Sequence, residues 1–277
     1  MPLFMDFHQF ESITVEDVKK AHIADISVQE KFGVKYHQFW VNEDSGSVFC
    51  LVEGPDPKTC ELCHQVAHGN IACNIQEVEP GFFNLLMGEK QFIDHGLTLK
   101  HDGSIDNGNR ILLVADIRGI TFLDNARHFR KLTIPIRAKK SVLDTLDLFG
   151  GRFVEHSSDD NLIGVFESAV HAVQCVLKIQ HDLSDSNLKN LNRDDGRIVF
   201  RLSIYKCQPL HHSDGFFERA IQSAKRMCLI TPANQISVSA NLMDLFKMET
   251  DAVDSYKIQF HQLGFSEADE HFPAKAV

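Results

Sequence analysis

The chain has 277 residues, 43% of them hydrophobic and 24% charged, and a net charge of −10. That length accommodates two domains of ordinary size, and the composition is that of a globular protein. The acidic balance, with no Lys/Arg-rich run, excludes a nucleic-acid backbone as the main partner, and no apolar run is long enough to span a bilayer. The N-terminal MPLFMDFHQFE carries acids where an export signal needs cations, so a cytoplasmic chain with seven reduced cysteines is expected.

In chain order, Leu3–Phe10 reads as a strand with Asp6 and His8 on one face. Thr14 and Asp17 form a capping box, and a helix is predicted from Val15 to about Phe32, ending at Gly33. Val15, Val18, His22, Ile26 and Gln29 share one stripe of it, which aims His22 at the sheet. Val34–Glu43 and Ser47–Glu53 read as a hairpin through Asp44-Ser45-Gly46. Pro57 opens a second helix that ends at Gly69, and Asn74–Phe83 supplies a last strand. On the second helix Thr59, Leu62, Cys63 and Val66 are the expected core face, with Cys60, His64 and His68 on another stripe. Two histidines one helical turn apart can grip one cation. Cys60 to His64 also spells CxxCH, the haem attachment spacing, but haem c needs export, and the pair reads instead as one buried and one surface cysteine.

Glu79–Gly108 is rich in turn residues and reads as a joint that packs on a surface through Phe82, Phe83, Leu85, Leu86 and Met87. Beyond it, Ile111–Ala115 is too short for a helix and reads as a strand buried on both faces. Asp116 is expected at its end, Gly119 in a tight turn, and Thr121 as the cap of a following helix, an arrangement that would seat a divalent cation and a phosphate. A basic stretch, Arg127–Lys140, leads into a helix through Phe149, and Arg152–Phe166 reads as a hairpin with Ser157–Asn161 at its tip. Ser168–Asp185 is an amphipathic helix and Ile198–Ile204 a strand; the tail from Leu242 holds a short helix and a strand, Ser255–Gln262.

Two resemblances organise these elements. MDFH, AHIADISVQEKFGV, FWVNE, VFCLVEGP and CHQVAHG resemble the small nickel-binding, ferredoxin-like proteins known from actinobacteria, over residues 1–80. That resemblance implies a homodimer through the sheet and a transition-metal site, and by position it carries over Asp6, His8, His22, Glu53, His64 and His68 as candidate ligands. Nickel is the expected ion, with copper or zinc as alternatives that the same donors suit.

DIRGIT resembles the first metal-binding motif of the class III adenylate and guanylate cyclases, and the likeness runs from about Asn109 to Asn241. It implies that Asp116 and the Asp159–Asp160 turn hold Mg²⁺ or Mn²⁺ for a nucleoside triphosphate, and that Arg226 stabilises transition-state charge. Gln222 falls where that family has Asn, and neither Glu155 nor His156 is the Lys that would read adenine. Base recognition and transition-state donors are therefore expected to be impaired.

The expected fold is α+β, two ferredoxin-like βαββαβ-type domains, the second a nucleotide-cyclase-like fold. The expected division is 1–83, a connector 84–108, 109–247, and a C-terminal strand and tail 248–277. The expected function is a cytosolic metal-binding regulatory protein whose degenerate cyclase-homology domain serves dimerisation or nucleotide sensing. The alternative is an active, divergent cyclase making cyclic AMP or cyclic GMP under control of the metal domain.

Overall fold

The structure, a computed structural model, describes residues 1–89, 92–122, 129–132, 136–154, 161–189, 197–212, 214–249, 260–262 and 274–276. The chain divides into two units, Met1–Asn109 with Gln208–Arg219, and Arg110–Cys207 with Ala220–Val277.

The first unit runs β1 (Leu3–Gln9), α1 (Val15–Val28, prolonged by a 3-10 turn at Gln29–Phe32), β2 (Lys35–Asn42), β3 (Ser47–Glu53), α2 (Pro57–Ala67) and β4 (Asn74–Glu77). The sheet order β4-β1-β3-β2 is the ferredoxin-like βαββαβ topology. Local chemistry sets the ends of its helices. The Thr14 hydroxyl accepts from the Asp17 amide at 3.2 Å while the Asp17 carboxylate accepts from the Thr14 amide at 3.3 Å, which satisfies two otherwise free donors at the helix start. Gly33, at φ +62°, takes the left-handed conformation that stops the chain's first helical stretch.

The predicted strand Asn74–Phe83 is shorter than expected. It ends at Glu77, because Glu79 accepts from the Gly81 and Phe82 amides and Pro80 opens a further helix, α3 (Pro80–Met87). The stretch expected as a connector then forms β5 (Phe92–Asp94) and β6 (Leu97–Leu99), and β6 pairs parallel to β2.

Strand alternation gives the sheet two different faces. Asp6 and His8 lie opposite Cys50 and Val48 on the helix side, while Met5 and Phe7 lie opposite Leu51 and Phe49 on the other. That other face is not open. Phe7 meets the rings of His211 and His212 at 6.1 and 5.2 Å, Trp40 meets Phe83 at 6.0 Å, and Phe83 stacks on Phe216 at 5.9 Å. The Asn74 side-chain amide donates to the His211 and Asp214 carbonyls at 2.6 and 3.0 Å. Met5, Phe7, Trp40 and Phe49 are consequently 0% exposed, each such burial stabilising by roughly 1.5–3 kcal/mol. The outer face of this sheet is thus lined by α3 and by His211, His212 and Phe216 of the same unit.

The second unit comprises β7 (Arg110–Phe122), β8 (Phe129–Leu132), α4 (Ile136–Leu148), β9 (Arg152–Val154), β10 (Asn161–Phe166), α5 (Ala169–Lys189), β11 (Arg197–Cys207), α6 (Glu218–Ile230), β12 (Gln235–Val238), α7 (Ala240–Glu249), β13 (Phe260–Gln262) and β14 (Ala274–Ala276). The order β11-β7-β10-β9, with α4 and α5 as crossovers, is a second ferredoxin-like arrangement. Ile111, Leu113, Ala115 and Ile117 of β7 bury one side against Val142 and Leu146 of α4 and Val173 and Val176 of α5.

The DIRGIT segment departs from its expected shape. Strand β7 does not stop at Asp116 but continues to Phe122, because Gly119 pairs with Ile198 on one side and Leu132 on the other. Gly119 and Thr121, expected in a turn and at a helix start, lie instead within the ladder, Thr121 opposite Arg130. Asp159 and Asp160, with Glu155 and His156, lie outside the described residues.

Candidate metal centre

Three elements of the first unit aim acids and imidazoles at one buried point between sheet and helices. β1 supplies Asp6 and His8, α1 supplies His22 and Asp25, and α2 supplies His64 with His68 as its C-cap. Asp6 is 0% exposed, His64 1% and Asp25 2%. Burying ionisable groups this deeply costs several kcal/mol each unless they are paired, so their pairing decides whether the fold tolerates them.

His64 is the hub. Its Nε2 lies 2.7 Å from Asp6 Oδ2, and its Nδ1 lies 3.1 Å from Asp25 Oδ1 and 3.1 Å from His68 Nε2. His68 Nε2 is 3.3 Å from Asp25 Oδ2, and the Asn70 amide donates to His68 Nδ1 at 3.2 Å. That bond makes Nδ1 the acceptor, so in the neutral ring Nε2 carries the proton and donates to Asp25. On the far side, His8 Nε2 approaches Asp6 Oδ1 at 3.5 Å, and the same oxygen accepts from the Cys50 amide at 3.0 Å. The His8 Nδ1 atom is buried with no hydrogen-bond partner.

Electrostatics follow from this arrangement. Burial opposes charge on His64, yet the carboxylates of Asp6 and Asp25 outweigh it and raise the imidazole from 6.5 to about 10. Burial alone would raise Asp6, but the charges and hydrogen bonds of His8 and His64 hold it well below the usual carboxylate range. Asp25 is lowered in the same way, by His64 and His68 against its burial. His22 moves in the opposite sense: burial, only partly offset by Asp25, lowers it and favours the neutral ring. Both carboxylates are thus ionised and ready at neutral pH.

Among the described residues, two trios converge closely enough to hold an ion: Asp6, His8 and His64, and Asp25, His64 and His68. The donor set fits a borderline metal, since imidazole and carboxylate suit nickel, copper and zinc. The orphaned His8 nitrogen is the kind of buried atom that an ion or water would satisfy.

Of the ligands expected by position, Asp6, His8, His64 and His68 come together. His22 stands beside them without joining either trio. Its ring packs on Phe39 at 5.2 Å and lies against Gly96, where an added Cβ would sit 2.3 Å from the imidazole. Glu53 does not reach the cluster: it holds the N-terminal amine at 3.2 Å and His37 at 3.3 Å near the surface. Asp25 was missed. The signal was present, since Asp25 follows Val18 and His22 at helical spacing, but Ile26 next to it looked the better core residue and is 44% exposed.

The inward face of α2 is as expected at Cys63 but turned toward Cys60 and His64 in place of Leu62 and Val66. Cys60 and Cys63 are both 0% exposed and His64 points inward, while Leu62 and Val66 are 46% and 56% exposed. With both thiols buried, CxxCH offers no sulfur to a haem vinyl group.

In the second unit, Asp116 is 5% exposed in mid-strand. Its carboxylate accepts from Arg118 Nε at 2.5 Å and from Arg201 Nη1 at 3.1 Å, the latter across the β7–β11 ladder. Gln222 and Arg226 lie on the exposed side of α6, whose buried side is Ala220, Ile221, Ala224, Met227 and Cys228.

Comparison with known proteins places the first of these arrangements. A family described as "Nickel responsive protein SCO4226-like" matches residues 4–78, which span both trios. The N-terminal unit belongs to this family. The SCO4226-like unit is 36% identical to SCO4226 from Streptomyces coelicolor A3(2), an alignment covering 27% of this chain and 94% of that one, with a TM-score of 0.27. Solved structures similar to a larger part of the chain include an adenylate/guanylate cyclase/hydrolase from Silicibacter pomeroyi, 19% identical over 61% of this chain and 94% of that one, TM-score 0.42. A bacterial light-regulated adenylyl cyclase is 12% identical over 100% of this chain and 94% of that one, TM-score 0.42. No curated protein matches the chain. Among the described residues no helix is long and apolar enough to cross a membrane.

Proposed function

We propose that the protein is a nickel-binding regulatory protein in which the SCO4226-like unit takes the ion and the cyclase-like unit serves as a dimerisation or nucleotide-sensing domain. The observation that carries this reading is the buried cluster around His64. Charged and imidazole groups at 0–5% exposure destabilise a fold that has no use for them, and replacing such a cluster by apolar side chains is often neutral or better.

Asp6, His8 and His64 are the direct ligands in this reading, with Asp25 and His68 behind them. A ligating imidazole is oriented by the partner of its other ring nitrogen. His64 Nδ1 already faces Asp25, which leaves Nε2, on the Asp6 side, to meet the ion. His68 is held as a donor to Asp25 by the Asn70 amide, which suits it to positioning. Bound there, the ion supplies the positive charge that the two carboxylates share with a protonated His64 in its absence.

The cyclase-like unit is read as regulatory because Asp116 is engaged by two arginines, Gln222 replaces the family's Asn, and the adenine-reading lysine is missing. A homodimer formed through this unit is expected, and light scattering at micromolar concentration checks it. Elemental analysis of untagged protein tests the metal reading: about one nickel per chain is expected, lost on His64→Ala. Protein that takes up no nickel, copper or zinc refutes it.

A further inference from the structure

A cavity of about 100 Å³ opens onto the same centre from the α1 side. Its floor is His8, His22, Asp25, His64 and His68. Its walls are Phe10, Ile13, Val18, Ala21 and Val48, and the exposed Asp17 and Asn70 stand at the rim. Metal sites that serve only structure are closed by four protein ligands, whereas three protein donors leave a position open. Here three donors are assigned, two of them, His8 and His64, face the cavity, and the space in front of them is walled by hydrocarbon.

We propose that this cavity is a binding site for a small, neutral, imidazole-type heterocycle that ligates the bound ion. The inference rests on the metal reading above. Size, charge and polarity each select the ligand. An engineered apolar cavity of about 150 Å³ takes benzene, so about 100 Å³ with an open mouth takes a five-membered ring and little more. An ion of charge +2 is already neutralised by Asp6 and Asp25, and Asp17 at the rim repels anions, so a neutral donor is preferred over a carboxylate or azide. The walls accept a ring's C–H edges, whereas an ammonium or an extended polar chain would lose hydration there without a partner. His22 completes the match. Its ring makes no hydrogen bond among the described residues, is favoured as the neutral form, and so offers an acceptor for the N–H of a ring whose other nitrogen is on the metal.

The test uses the untagged full chain loaded with nickel or cobalt and dialysed free of excess ion. Imidazole is titrated while the metal's visible bands, the melting temperature and the retained metal are followed. A saturable band shift and a rise in melting temperature, with the ion retained, are expected. N-methylimidazole, which cannot donate to His22, should bind at least tenfold more weakly, and acetate and azide should not compete. Ala21→Phe should keep the metal and lose the imidazole response, while Ile13→Ala should admit benzimidazole, which the parent excludes. Stoichiometric metal whose bands ignore saturating imidazole refutes the inference and leaves the metal reading standing, as does Ala21→Phe binding imidazole like the parent. A chain that loads no ion removes both.

Discussion

Metal binding at neutral pH should expel one proton, and the size of the effect follows from His64. Free of metal, its imidazole sits between Asp6 and Asp25 and is raised from 6.5 to about 10, so it is charged at pH 7. An ion on Nε2 must displace the proton there, while Nδ1–H stays on Asp25. Deprotonating a group about three units below its pKa costs roughly 4 kcal/mol, at about 1.4 kcal/mol per unit. Apparent affinity should therefore rise about tenfold per pH unit from pH 7 and level off near pH 10, a gain of roughly a thousandfold. Isothermal calorimetry in buffers of different ionisation enthalpy reads the proton directly: the slope at pH 7 should be close to one proton per nickel. A slope of zero with normal stoichiometry would mean that His64 is neutral before binding or is not a ligand, and the assignment of the hub would be wrong.

Three further outcomes are expected. Asp25→Asn should weaken nickel binding by about 10–100-fold, because His64 loses the carboxylate that orients it, while Glu53→Gln at the surface should leave binding unchanged; equal losses in a dialysis assay would count against the cluster. Metal-free protein should be most stable between pH 3.8 and pH 6.5, where both pairings contribute in full. The raised His64 contributes fully below pH 6.5 and its contribution is lost as pH rises through about 10. The depressed Asp6 contributes above pH 3.8 and its contribution is lost as pH falls through its lower native value, so melting temperatures that stay flat from pH 3 to pH 10 would refute the pairing. Chromatography should detect no cyclic AMP or cyclic GMP from ATP or GTP with Mn²⁺; robust product abolished by Asp116→Ala would make the second unit an enzyme.

What could be read from the sequence was what local chemistry controls. The Thr14–Asp17 box, Pro57, Gly33 and the Asp44–Gly46 hairpin placed the first six elements, because caps and turns act over three or four residues. The inward side of α2 does not follow its apolar stripe. A helix normally buries its apolar stripe, but here the sheet-facing side is Cys60, Cys63 and His64, and Leu62 and Val66 were left outside. Asp25 was overlooked on the same logic, an acid on a core face being improbable until its partners are known. Past Asp116, Gly119 reads locally as a strand break, whereas pairing with the two neighbouring strands carries β7 through it. Nothing local announces that His211 and Phe216 close the back of a sheet built from residues 3–53, since contacts of that sequence separation leave no periodic trace.

That closure sets a timetable for synthesis. The SCO4226-like unit is translated through Asn109, yet the residues that seal Phe7 and Phe49 begin at Gln208, about 100 residues later. At about 5–20 residues per second, the nascent chain leaves the ribosome with the proposed ligands in place and an aromatic face covered only by α3 for roughly 5–20 s. The interval exposes that face to chaperones, and it also means that a fragment cut after residue 109 keeps every proposed ligand but lacks its lid. Such a fragment should need a second copy, a detergent or an engineered surface to stay in solution, whereas the intact polypeptide carries the remedy further along its own sequence.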